Sequence, residues 1–203
     1  SYEWLGRLRD LCDRYEMLLI LDDIQAGCGR TGPFFSFEPA GIVPDIVCLS
    51  KSLSGYGLPL ALTLIRPQFD VWEPGEHSGT FRGNNPAFVT ATKALDYWTN
   101  DDLSRSVQTH AETISHELHR LVERHPDARA SLRGRGMIQG LYCAPSGLAK
   151  AATSAAFERG LVLETSGPEG EVIKLLPPLT IDDSALREGI AILDESLAEA
   201  LKA

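Results

Sequence analysis

Two short apolar runs in this chain each stop at charged residues, and this limits the fold more than any other feature. Met17 to Leu21 leads into Asp22 and Asp23, with Gln25 just beyond, and Asp45 to Leu49 leads into Ser50 and Lys51. Continuous apolar runs of this length mark strands buried on both faces of a parallel sheet. In open α/β sheets ligands gather outside the carboxyl ends of the strands, so an acid and an amine ending two adjacent strands face one crevice.

The surrounding pattern agrees with an α/β beginning. Trp4, Leu5, Leu8, Leu11 and Cys12 recur at helical spacing and predict a helix over Trp4 to Tyr15 that feeds the first strand. A chain that opens on a crossover helix lacks the strand before it and reads as part of a longer protein. Gly55, Gly57 and Pro59 break the chain after Lys51, and Leu60 to Ile65 reads as a third strand returning antiparallel. A long loop over Pro67 to Asn85 precedes a helix over Pro86 to Tyr97, with Pro86 in its first turn and Ala87, Val89, Ala91 and Ala94 inside. A second helix runs from Leu103 to Glu123. Strands over Met137 to Cys143, Leu161 to Glu164 and Val172 to Leu175 then alternate with helices near Leu148 to Arg159 and Ser184 to Leu201. The expected fold class is α/β: part of a large, mostly parallel sheet domain over residues 1–105, then a small α+β domain over 106–203.

Charge excludes some partners. A formal net charge of -9 and a pI near 5.0 disfavour nucleic acid and anionic lipid, and leave small metabolites. The sequence shows no apolar run of transmembrane length and no signal-peptide pattern. Cys12, Cys28, Cys48 and Cys143 have no CxxC spacing, so neither a metal site nor a disulfide framework is expected, and reduced thiols in a cytoplasmic setting are. Cys48 reads as a small core residue. Cys28 lies between glycines near the proposed site but lacks an evident base.

Lys51, at the end of an apolar run, is expected at the edge of a low-dielectric interior that favours the neutral, imine-forming amine. The plainer reading is a lysine reaching solvent. Asp22, at the end of the other run, needs a partner, and a protonated pyridine nitrogen is one. A lysine for a Schiff base and an acid opposite a ring nitrogen are what pyridoxal 5'-phosphate (PLP) requires to act as an electron sink. Gln25 carries a donor and an acceptor that can reach the ring's phenolic oxygen, although alone it reads as a loop surface residue. Leu18 to Asp23 also resembles a Walker B strand holding Mg²⁺, but no GxxxxGK[ST] loop is present and Lys51 would stay unexplained. Gly79 to Asn85, Gly-Thr-Phe-Arg-Gly-Asn-Asn, offers amides, a hydroxyl and an arginine to an anion, or is simply a capping loop. His77, just upstream, reads as a loop residue, since a released lysine can move the proton itself.

Leu21-Asp22-Asp23-Ile24-Gln25-Ala26-Gly27-Cys28-Gly29-Arg30-Thr31-Gly32, then Pro44-Asp45 and Ser50-Lys51, resemble the signature of the class III aminotransferases. The resemblance implies the fold type I of PLP-dependent transferases. It makes Asp22 the acid on the pyridine nitrogen, Gln25 the contact to the phenolic oxygen and Lys51 the Schiff-base lysine. Thr80 matches the threonine that reaches the cofactor phosphate of the neighbouring subunit, which implies a homodimer with shared sites. It also implies an amino donor and an aldehyde or keto acid acceptor, with glutamate and aspartate 4-semialdehyde as the expected pair and ornithine, 4-aminobutyrate or siderophore-linked diaminobutyrate as the alternative substrates. The family's usual length is about twice this one, so the glycine-rich phosphate loop and the ring-stacking residue fall outside the chain, and a fragment inactive without its amino-terminal half is the alternative. One position departs from the pattern. Where many members carry an arginine before Pro-Pro-Leu, this chain has Lys174, a point charge in place of a fork, and Lys174 is the expected substrate contact.

Overall fold

Helix α1 (Tyr2–Arg14) opens the chain, and the Ser1 hydroxyl caps it by accepting the Trp4 amide at 3.2 Å. It leads into β1 (Ile20–Asp22), which pairs in parallel with β2 (Ile46–Leu49), which in turn pairs antiparallel with β3 (Leu62–Ile65). The antiparallel return expected of the third strand is therefore present. The computed structural model describes every residue except Tyr56, Phe81 and Ala203, and Phe81, quoted in the glycine-rich loop above, lies outside the described residues. These residues divide into two compact units, Ser1–Ser104 and Arg105–Ala203.

The first strand differs from expectation. Met17 and Leu18 lie outside the ladder and Ile20 is 56% exposed, while Leu19 is buried and Leu21 half-buried, so the run that ends at Asp22 is covered on one face and not on both. Two physical reasons account for this. Strand β1 stands at the edge of its sheet, with β2 as its one neighbour among the described residues. In addition, the Leu19 amide is turned to the Asp45 carboxylate at 2.8 Å, away from any strand carbonyl.

Asp45 is a buried clasp at the opposite end of the strands from Lys51. It accepts Arg9 Nη1 at 2.7 Å, Arg66 Nη1 at 2.9 Å and the Leu19 amide, tying α1, β1 and the end of β3 to the start of β2. Burial pushes its carboxyl up. The Leu19 amide and the two guanidiniums override that and hold it at about 2, below the ordinary 3.8. The folded value lies below the unfolded one, so the clasp's contribution is complete above pH ~4 and is lost as pH falls through about 2. Asp45→Asn in the full-length protein is expected to cost about 3 kcal/mol, because it removes the buried charge between two guanidiniums and leaves the largely buried Arg9 with only its exposed partner Asp13. An unchanged urea midpoint would show that Arg9 and Arg66 find other partners.

The core of the first unit gathers Val47 and Leu49 of β2, Leu53, Cys28 and Phe37, with Phe34 and Phe35 packed against it. Helix α2 (Asn85–Ala94) buries Ala87 and Ala91, while Val89, expected inside, is 70% exposed; a short 3₁₀ turn, Leu95–Trp98, replaces its expected last turn.

The second unit contains most of α3 (Asp102–Arg124), which buries Val107, Ile114, Leu118 and Leu121 along one face. It continues through β4 (Ser131–Arg135), β5 (Ile138–Tyr142), α4 (Leu148–Glu158), β6 (Glu164–Ser166), β7 (Val172–Leu175) and α5 (Asp183–Ala200). The sheet is antiparallel in the order β4-β5-β7-β6. Strand β4 was not expected, because Arg and Gly interrupt its apolar signal. Strand β6 begins where the expected run ends, leaving Val162 75% exposed.

Candidate active site

The parallel register aligns the two strand ends. Asp22 is paired with Cys48, and Gln25 and Lys51 each lie three residues past that pair, so acid, amide and amine leave the same end of the sheet. The geometry divides the two neighbouring acids between different tasks. Asp23 is only 2% exposed; its carboxylate accepts the Ser36 amide at 3.0 Å, and its own amide donates to the Cys48 carbonyl at 3.0 Å. Gly27 must be glycine beside it, since a Cβ there would come within 2.6 Å of the Asp23 carboxylate. Asp23 thus builds the loop. Asp22 is exposed, and one of its oxygens accepts the Ile24 amide at 3.1 Å in a local turn. Gln25 is half-buried in that same loop.

Lys51 opens a 3₁₀ turn, Lys51–Ser54, directly after extended Ser50, whose hydroxyl donates to the Leu60 carbonyl at 2.6 Å. Its φ of 52° puts a non-glycine residue in the left-handed region, a conformation that costs about 1–3 kcal/mol and clusters at functional sites. Lys51 is exposed, so the low-dielectric surroundings expected of it are not supplied by this chain's own residues; the turn carries it out of the sheet's core. Helix α2 packs on the same turn, where a Cβ on Gly55 would meet the Ala94 methyl at 2.8 Å. Asn84 caps α2 by accepting the Ala87 amide and donates to the Pro59 carbonyl, both at 3.4 Å, so the loop carrying Thr80 is fastened to the segment after Lys51. Thr80 itself is exposed.

The remaining residues fall elsewhere. Lys174 stands on β7 in the second unit, cross-strand from Glu164, and its ammonium is 2.7 Å from that carboxylate. Burial, with the charge of Asp23, pushes the Cys28 thiol up to about 11, so it stays protonated at neutral pH and is not a nucleophile. Cys48 is half-buried. Sequence reasoning gave no role to Asp23 or Asp45. Their signal was present, as each adjoins an apolar run whose end needs hydrogen-bond acceptors.

Neither Asp22 nor Lys51 is ion-paired among the described residues. An uncommitted amine and an uncommitted carboxylate at one sheet end fit a cofactor that offers an aldehyde and a basic ring nitrogen. Among the described residues, no cluster of His, Cys, Asp or Glu could hold a metal ion.

The family model for aminotransferase class-III matches residues 1–197. A diaminobutyrate–2-oxoglutarate transaminase of Sporosarcina pasteurii is 57% identical over 204 residues, and another, of Halalkalibacterium halodurans, is 56% identical over 195. The alignments cover 100% and 96% of this chain but 48% and 46% of those proteins, so the chain spans about half the length of the curated relatives it matches. Among solved structures, N-acetylornithine aminotransferase from Stenotrophomonas maltophilia superposes on 96% of the chain, and 50% of its own, with a TM-score of 0.84 at 31% identity. A transaminase from the marine bacterium Virgibacillus reaches 0.90 over 100% of the chain and 49% of its own at 19% identity, a likeness of fold alone. The paired strand ends, the turn at Lys51 and the match over nearly every residue place this chain in the class III aminotransferase family.

Proposed function

We propose that this chain supplies the lysine-bearing part of a PLP-dependent aminotransferase that passes the amino group of glutamate to aspartate 4-semialdehyde, giving 2-oxoglutarate and 2,4-diaminobutyrate in ectoine biosynthesis. The observation that carries the reading is the parallel register that brings uncommitted Asp22 and Lys51 to one end of the sheet. The names of relatives at 57% and 56% identity support the substrate pair. Residues 1–105 belong in this reading to the large cofactor-binding domain and 106–203 to the small one.

When bound, PLP supplies the electron sink that lets a proton leave the substrate's amino-bearing carbon. Lys51 would hold the cofactor, and its free amine would serve as the base and then the acid for the proton at that carbon. Asp22 keeps the ring nitrogen protonated through its charge, and Gln25 orients the ring by its phenolic oxygen. Thr80 serves the phosphate of a neighbouring subunit's cofactor, so the working unit is a homodimer. Donor and acceptor take turns in one site, a ping-pong order. The reading places the enzyme in the cytoplasm, which agrees with four free cysteines and with the absence, among the described residues, of a helix long and apolar enough to cross a membrane.

A panel of amino donors offered to the full-length protein with PLP tests the substrate. Diaminobutyrate, run in reverse with 2-oxoglutarate, is expected to exceed ornithine and 4-aminobutyrate at least tenfold in kcat/KM, which is about 1.4 kcal/mol of discrimination. Preference for ornithine or 4-aminobutyrate would move the protein to another branch of the family.

A further inference from the structure

In the loop between β3 and α2, three side chains that the proposed reaction does not use are fastened to one another. The rings of Trp72 and His77 stack with centroids 4.1 Å apart and planes at 27°. His77 Nδ1 lies 2.9 Å from Arg82 Nη2. A guanidinium only donates, so the acceptor in this contact is His77 Nδ1. A carboxylate in this place would orient the guanidinium and cancel its charge. The imidazole orients it and leaves the charge whole.

The surroundings of Arg82 keep that charge available. The residue is exposed, and no carboxylate pairs with it among the described residues. Its side chain lies over Gly79, where a Cβ would meet Arg82 Nε at 3.6 Å. The Arg82 amide donates to the Gly79 carbonyl at 3.2 Å and closes the turn that contains Thr80. Lys174, the other expected cation, is already committed to Glu164.

We propose that Arg82 is a second oxyanion-binding residue of the site beside Thr80, and that His77, braced on Trp72, is the positioning residue that aims its guanidinium without neutralising it. This rests on the transaminase reading, which puts Thr80 at a cofactor phosphate. The oxyanion is that phosphate or a carboxylate of the dicarboxylic substrate, and a guanidinium fork suits both.

The test uses the full-length protein and two measurements: the PLP dissociation constant, by spectral titration of the apoprotein, and the KM for glutamate. Arg82→Ala is expected to weaken one of them about tenfold to a hundredfold, the effect of losing a charge-assisted hydrogen bond. A change in PLP affinity assigns the phosphate. A raised KM with PLP affinity kept assigns the carboxylate. Arg82→Lys restores part of the loss, as a point charge does. His77→Leu shifts the same constant in the same direction with kcat unchanged, and His77→Gln, whose amide oxygen can accept, recovers it. If the wild type binds PLP and transaminates while both constants are unchanged in Arg82→Ala, the oxyanion role is overturned. If only His77→Leu is silent, the positioning role is overturned. A wild type that binds no PLP defeats the transaminase reading, and this inference with it.

Discussion

Lys51→Ala in the full-length protein is expected to abolish the visible absorbance band formed with PLP and to cut turnover by about 10⁴-fold or more, since in the proposed reading one residue both holds the cofactor and moves the proton. The structure makes this variant clean to interpret. Lys51 is exposed and takes part in no ion pair among the described residues, so alanine breaks no charge pair and little packing. Its φ of 52° is as costly for alanine as for lysine, so the turn gains no new strain. Fold stability should therefore stay put while the spectrum collapses. A band that persists in the variant sinks the lysine assignment.

Asp22→Asn is the second large effect. Asparagine keeps an oxygen to accept the Ile24 amide, the contact measured at 3.1 Å, and so preserves the local turn while removing the negative charge. In the proposed reading the ring nitrogen would then lose the partner that keeps it protonated. PLP would still be held by Lys51, but the half-reaction with glutamate is expected to slow about 10²–10³-fold, the order seen when one electrostatic stabiliser is lost. Single-turnover absorbance with glutamate alone measures it, and an unaltered rate would refute the role.

How much of this was legible depended on whether the signal was local. The parallel pairing of two apolar runs, the antiparallel return of the third and the long helix α3 all follow from periodicity and punctuation within a few residues. The surroundings of Asp22 and Lys51 did not. An apolar run announces burial only if neighbours cover it, and β1 has one strand beside it where the pattern implied two. Strand β4 escaped because its ladder partner β5, and not its own composition, makes it a strand. The division of labour between Asp22 and Asp23 was equally hidden, for it is set by the Ser36 amide, 13 residues on. The contacts that hold Arg82 were hidden for a similar reason. Arginine, histidine and tryptophan in a polar loop look like surface until a ring stack and one hydrogen bond join them.

The open edge of β1 carries a consequence for assembly. Asp22 sits on a strand whose outer edge has no strand beside it among the described residues, next to exposed Met17, Leu18 and Ile20. Pairing along that edge would order the carboxylate that, in the proposed reading, meets the ring nitrogen. By thermodynamic reciprocity, cofactor binding in that reading is expected to tighten the covering of the edge by the same factor.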